Sequence, residues 1–187
     1  MTQITKIITD LIDEGIAANA HFQIWWALRN LALPKYLNAM NNLKYVDFFH
    51  ASNSGHYKLI FISLSKIYDL DPRTSGIKNL KAELRKAGNI KMADYVEKEL
   101  SSYTSLVTKL SNIRNQTIGH NQISLERKEA YNRNGVTPDE IKELIDKTCC
   151  VINEVARDIG INNTIGDSDR FESATLKLLE ELDGKKT

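Results

Sequence analysis

The sequence contains few cysteines and no long apolar run. Its only two cysteines, Cys149 and Cys150, are adjacent and cannot form a normal disulfide bond with each other, which excludes a disulfide framework or a cysteine-based zinc site. No stretch of about 18 apolar residues is present, so a transmembrane helix is not expected. The N-terminal residues lack the basic start and apolar core of a signal peptide. We therefore expect a reduced, cytoplasmic protein without membrane contact.

The chain also lacks an excess of charge of one sign and any useful stretch of alternating apolar and polar residues. The formal net charge of +1 over 187 residues favours neither nucleic acid nor a membrane as a partner. No cluster of histidine and acidic residues has the spacing of a metal site, so neither a metal nor a cofactor is expected. Without β-type alternation, strands are not predicted. Hydrophobic residues make up 42% of the chain and charged residues 26%, which is ordinary for a soluble globular protein.

Apolar residues instead recur at spacings of three and four, which is the pattern of amphipathic helices. The first such stretch begins at Ile4 and predicts one long or broken helix that stops before Pro34. The second covers residues 35–69, and its polar segment 51–55 predicts a kink or a break. A further helix is predicted over residues 89–113.

The clearest local signal is Thr137-Pro138-Asp139-Glu140, which has the threonine, first-turn proline and glutamate of a helix capping box. The helix that it opens is expected to close at Gly160. We predict an all-α fold, a helical bundle of about five to seven helices, in one domain over residues 1–165. Residues 166–187 are acidic and are expected to form a C-terminal helix or a mobile tail.

A cluster of polar residues at 111–121 is the one place where the sequence indicates chemistry. The preceding apolar stripe comprises Val96, Leu100, Tyr103, Val107 and Leu110. Its next position, four residues on, is Arg114, and an arginine on a core-facing stripe is costly unless it is paired or faces a wet pocket. The position of Arg114 therefore requires a structural or functional explanation.

His120 follows six residues after Arg114. On a continuous α-helix it would be rotated by about 120° from Arg114, so the two side chains converge only if the helix bends or loosens. Thr117 and Ile118 are β-branched and Gly119 is a poor helix former, which favours such a bend before His120.

Arg114-Asn115, four further residues and His120 resemble the motif of the HEPN superfamily. The region between Tyr45 and Leu84 is similar to the abortive-infection U branch of that superfamily. This second similarity rests on Tyr57, the stretch Lys66-Ile67-Tyr68-Asp69, Asp71 and Arg73. Together the two regions cover about the middle half of the chain.

The resemblance implies a metal-independent RNA endonuclease that acts in abortive infection, as phage defence, or as a toxin. It assigns His120 as general acid or base, Arg114 as the group that binds phosphate, and Asn115 as an orienting hydrogen-bond group. The products would carry 2′,3′-cyclic phosphate ends. In the family such sites lie between two protomers, so the resemblance also implies a homodimer, with an antitoxin or another defence protein as a further partner.

Other cations are candidates for RNA contact. Lys66 and Arg73, together with Asp69 and Asp71, resemble the polar patch of the branch, although a solvated turn before a helix also accounts for them. Arg127, Lys128 and Arg133 lie in a polar segment and could touch the RNA backbone. Residues 73–91 hold six basic residues and one acid, a local charge of +5 that could bind a polyanion.

Two features oppose a simple transfer of the family's function. Where toxins paired with nucleotidyltransferase antitoxins carry a modifiable tyrosine two residues after the histidine, this chain has Gln122. In addition, Arg114 could cap carbonyls or pair with an acid, while His120 satisfies a backbone group at a helix end. The alternative function is thus a non-catalytic helical module that binds a protein partner or a nucleotide.

Overall fold

The computed structural model describes residues 2–119, 134–166 and 168–184, and within these ranges the chain is helical and contains no strand. The prediction of an all-α fold is confirmed. The α-helices are α1 (Gln3–Trp26), α2 (Leu33–Met40), α3 (Val46–Ile67), α4 (Ile77–Lys86), α5 (Ile90–Leu100), α6 (Thr104–Ile113), α7 (Pro138–Asp158) and α8 (Arg170–Gly184). Two π-helical turns, Ala27–Leu31 and Arg114–Gly119, and a 3-10 turn, Ser101–Tyr103, continue some of these helices.

The predicted capping box begins α7. The Thr137 hydroxyl accepts a hydrogen bond from the backbone N–H of Glu140 at 3.2 Å, and the Glu140 carboxylate accepts one from the backbone N–H of Thr137 at 2.7 Å. Pro138 occupies the first turn, where a missing N–H costs nothing. At the other end Gly160 has a φ of 77°, which only glycine adopts without strain, so this helix ends where it was predicted to end.

Two helix predictions are wrong. The expected kink at residues 51–55 does not occur, because α3 is continuous from Val46 to Ile67. The serine, asparagine and glycine of this segment occupy exposed or half-buried positions, where a helix tolerates them at a cost of at most about 1 kcal/mol each. The predicted helix over residues 89–113 is instead divided into α5 and α6 by the 3-10 turn Ser101–Tyr103.

The chain forms two compact units, and the first comprises Met1–Ala18 and Phe61–Gly166. Its core is aliphatic and draws on parts of α1 and α3 and on α4, α5 and α7. Gly15 of α1 lies close to this core, since a Cβ at that position would lie 2.5 Å from the Cδ1 atom of Ile165 and would require that side chain to move. The buried core residues are Ile7, Ile8, Leu11, Ile12, Ile67, Ile77, Leu80, Leu84, Ala93, Val96, Leu100, Val151, Ile152, Val155, Ala156 and Ile165.

The second unit comprises Asn19–Ile60 and Asp167–Thr187. Its buried core residues are Leu28, Ala32, Tyr36, Phe49 and Leu179. The Gln23 side chain holds the start of α8, because its carbonyl oxygen accepts the backbone N–H groups of Phe171 at 3.1 Å and Glu172 at 3.3 Å. These N–H groups have no partner within a helix, so the amide acts as a cap from a distant part of the chain.

Candidate functional site

The polar cluster begins at the end of α6 and continues into a π-helical turn, Arg114–Gly119, that follows this helix directly. The predicted loosening of the helix before His120 is thus found. Within the turn the buried Thr117 hydroxyl donates to the backbone carbonyl of Ile113 at 2.7 Å. Such a bond from a threonine to the carbonyl four residues earlier distorts a helix, and π-helical turns often occur at functional sites.

Arg114 is exposed, contrary to the expectation that it continues the buried stripe. Ile113, three residues after Leu110, takes the core position and is 1% exposed. The Arg114 guanidinium donates from Nη1 to the side-chain oxygen of Asn115 at 2.7 Å. Within residues 2–119, 134–166 and 168–184 it forms no ion pair, so its charge is not neutralised by any carboxylate there.

Arg114 lines a cavity of about 580 Å³ in the first unit. One wall is the C-terminal part of α3 with the turn that follows it, and the other is α6. The lining residues are Ile62, Leu64, Ser65, Lys66, Tyr68, Asp69, Leu70, Thr104, Val107, Thr108, Leu110, Ser111, Asn112 and Arg114. The structure therefore places Lys66, from the second region of resemblance, at the same cavity as Arg114 of the motif.

The Lys66 amine is bound to the Glu14 carboxylate, with 2.6 Å between Nζ and Oε1. Lys66 and Asp69 also line a second cavity of about 320 Å³, which is otherwise acidic or hydroxylic. Its remaining lining residues are Asp10, Asp13, Glu14, Thr74 and Ser75. Because Glu14 offsets the charge of Lys66, Arg114 carries the less compensated positive charge at the larger cavity.

The turn after α3 is held by its own side chains. The Asp69 carboxylate accepts the backbone N–H of Asp71 at 2.9 Å, and Asp71 binds the Arg73 guanidinium through both of its oxygens. The hydrogen bonds from the Arg73 side chain and backbone hold the pKa of the Asp71 carboxyl below its usual value. Gly76 packs against the turn, since a Cβ there would lie 2.5 Å from the carbonyl oxygen of Asp69.

Arg73 does not line the larger cavity, and its side chain is 87% exposed. The basic excess of residues 73–91 is largely offset by nearby acids. Four of the six basic residues in this stretch form ion pairs with acids. They are Arg73 with Asp71, Lys81 with Glu97, Arg85 with Asp94 and Lys86 with Glu83. This stretch is therefore a paired surface rather than a strong polyanion site.

His120, Arg127, Lys128 and Arg133 lie outside the described residues. Among the residues that are described, no group of three histidine, cysteine or acidic side chains could hold a metal ion. None of the helices in those same ranges is long and apolar enough to span a bilayer.

Tyr68 also lines the larger cavity, although no role at the site was predicted for it from the sequence. Its hydroxyl shares a hydrogen bond of 2.6 Å with the hydroxyl of Thr148 on α7, and burial raises the pKa of the phenol. The hydrogen bond to Thr148 fixes the Tyr68 ring at the wall of the cavity. The only sequence signal was its place beside Lys66 and Asp69 in the region of resemblance.

The all-helical fold and the motif agree with a comparison with known families. The model of the HEPN family described as AbiU2 matches residues 2–180. The chain therefore belongs to the AbiU2 family of HEPN proteins. No curated protein and no solved structure matches the chain significantly.

Proposed function

We propose that the protein is a metal-independent RNA endonuclease of the HEPN type, acting in the cytoplasm in abortive infection or as a toxin. The observation that carries the proposal is the setting of Arg114. Its guanidinium is exposed, lines a cavity and has no carboxylate partner among the described residues. A guanidinium in this state is available to bind phosphate through two parallel hydrogen bonds.

The chemistry needs a base for the 2′-hydroxyl, an acid for the leaving 5′-oxygen and a cation for the charge that builds on phosphate. His120, whose unperturbed pKa lies near neutrality, would take or give these protons. The 2′-oxygen would attack phosphorus as the bond to the 5′-oxygen breaks, which leaves a 2′,3′-cyclic phosphate. Arg114 would bind the phosphate, and Asn115 would orient the guanidinium through the bond to Nη1.

The same proposal includes a homodimer in which two motifs face each other, so that one site contains two histidines. Two exposed apolar side chains support such a contact, because Leu70 is 68% and Ile62 36% exposed and both line the same cavity as Arg114. Sedimentation equilibrium of the purified protein tests this part. A mass of one chain at micromolar concentration would contradict it. We also propose an antitoxin or defence-system protein as a partner in the cell.

The rival, a non-catalytic binding module, predicts either that the two motifs lie apart or that Arg114 is consumed by an internal salt bridge. No such bridge occurs among the described residues. Expression in growing cells separates the two functions. The wild-type protein should stop growth and fragment cellular RNA, whereas His120→Ala and Arg114→Ala should do neither at equal protein levels.

Arg157→Ala provides the control for loss of an arginine. Arg157 is exposed on α7, pairs with Glu154 three residues earlier and does not line the cavity. This variant should remain as toxic as the wild type. Equal toxicity of the wild type and His120→Ala, or normal growth with intact RNA during abundant wild-type expression, would contradict the proposal.

A further inference from the structure

The cavity beside Arg114 has the size and the walls of a site for a flat heterocycle. Its volume of about 580 Å³ falls within the range of about 300–1,000 Å³ that is usual for small-molecule sites. Its apolar lining residues are Ile62, Leu64, Leu70, Val107 and Leu110. Tyr68 adds an aromatic ring held in place by Thr148, and unpaired bases of RNA bind by stacking on such rings.

Among the polar groups that line this cavity, three hydroxyls and one carboxylate offer hydrogen-bond acceptors. Three lining hydroxyls donate to backbone carbonyls of their own segments: Ser65 to Phe61 at 2.6 Å, Thr104 to Ser101 at 2.9 Å and Thr108 to Thr104 at 2.9 Å. Because each hydroxyl has one proton, these oxygens can offer only lone pairs to a ligand. These three oxygens therefore suit a ligand that donates hydrogen bonds.

Asp69 adds a carboxylate to the acceptors. In the described part of the chain it receives a single hydrogen bond, from the backbone N–H of Asp71 to Oδ1. Lys66, which lines the same cavity, binds Glu14 and forms no ion pair with Asp69 among the described residues. The carboxylate keeps lone pairs on both oxygens for a ligand with two neighbouring donors.

Among the four RNA bases only guanine presents two adjacent donors, N1–H and the 2-amino group, on its pairing edge. Adenine and cytosine place an acceptor next to their amino group, and uracil has a single donor between two acceptors. Resting on the proposed function, we propose that this cavity binds a guanine base of the RNA substrate. Asp69 pairs with its two donors while Arg114 holds a neighbouring phosphate, which makes Asp69 a specificity-determining residue.

The test is cleavage of an RNA pool of random sequence, with the ends sequenced. The wild type should show guanine enriched roughly tenfold at one position next to the cut, as expected for one bidentate contact. Asp69→Asn keeps an oxygen for the Asp71 N–H but replaces one acceptor with a donor. It should lose the enrichment, because cleavage at guanine sites should slow by about the same factor of ten.

A pair of tryptophan substitutions on α6 tests the cavity itself. Thr108→Trp fills it, whereas Ser105→Trp places the same side chain at an exposed position that does not line it. Thr108→Trp should slow cleavage at guanine sites at least tenfold, and Ser105→Trp should cleave like the wild type. Cleavage by the wild type without guanine enrichment, or enrichment that survives in Asp69→Asn, would overturn this inference and leave the nuclease standing.

If no RNA is cut, that result counts against the proposed function alone. A binding measurement then still tests whether the cavity binds guanine. Guanosine 5′-monophosphate is titrated into the full chain by calorimetry and compared with the adenosine, cytidine and uridine monophosphates. Tighter binding of the guanosine nucleotide that is lost in Asp69→Asn and kept in Ser105→Trp would support the inference. Equal or undetectable binding of all four would overturn it.

Discussion

The hydrogen bond between Tyr68 and Thr148 allows a quantitative test of how the cavity wall is fixed. Thr148 is 1% exposed, and its hydroxyl lies 2.6 Å from that of Tyr68. Tyr68→Phe leaves the threonine hydroxyl buried without a partner, and Thr148→Val does the same to the phenol. Each single change should therefore lower the free energy of unfolding by about 1–3 kcal/mol.

The double variant carries the informative prediction. With both hydroxyls removed, neither polar group is left unsatisfied, so the loss should be smaller than the sum of the two single losses by about 1 kcal/mol or more. Urea unfolding followed by circular dichroism gives the free energy of unfolding of all four proteins. In a thermal scan, 1 kcal/mol corresponds to a shift of about 2–4 °C in Tm for a chain of this size. Strictly additive losses would refute the claim that this bond satisfies two buried groups.

Three further predictions concern single side chains. Thr137→Ala removes the capping box of α7 and should lower the free energy of unfolding by about 1 kcal/mol in the same urea experiment. The control is Thr104→Ala at an exposed hydroxyl of α6, which should change the free energy of unfolding by no more than about 0.5 kcal/mol. His56 shares a hydrogen bond of 2.9 Å with His21, and burial lowers the pKa of His56 below its ordinary value of 6.5. Because the unfolded chain then binds a proton more readily, the free energy of unfolding should fall as the pH drops below about 6.5. His56→Gln should make this fall with pH less steep, and an unchanged pH dependence would contradict the lowered pKa of His56. Arg114→Lys keeps the charge but loses the planar fork, so under the proposed function it should recover less than a tenth of wild-type cleavage, and full activity would show that charge alone suffices.

The helical fold was predictable because its signals are local. The signals for α7 are a capping box, apolar residues at spacings of three and four, and Gly160 just after the last turn. They specify this helix without knowledge of any other helix. Polar residues 51–55 misled the prediction because propensity costs of at most about 1 kcal/mol each are outweighed by the packing of a long helix.

The position of Arg114 could not be derived from periodicity. The stripe was extended at 3.6 residues per turn from Val96, whereas the 3-10 turn Ser101–Tyr103 starts a new helix with its own register. In that register Ile113 faces the core and Arg114 is exposed. The cavity was likewise beyond local reasoning, since Asp69 and Arg114 belong to segments that only tertiary packing brings to the same place.

The most direct test of the central claim is cleavage of a mixed RNA pool in EDTA by purified wild-type, His120→Ala and Arg114→Ala proteins, with end-group analysis of the products. We predict that the wild type alone cleaves and that its products carry 2′,3′-cyclic phosphate ends. Equal cleavage by all three proteins, or no cleavage by the wild type across the pool, would contradict an endonuclease built on Arg114 and His120.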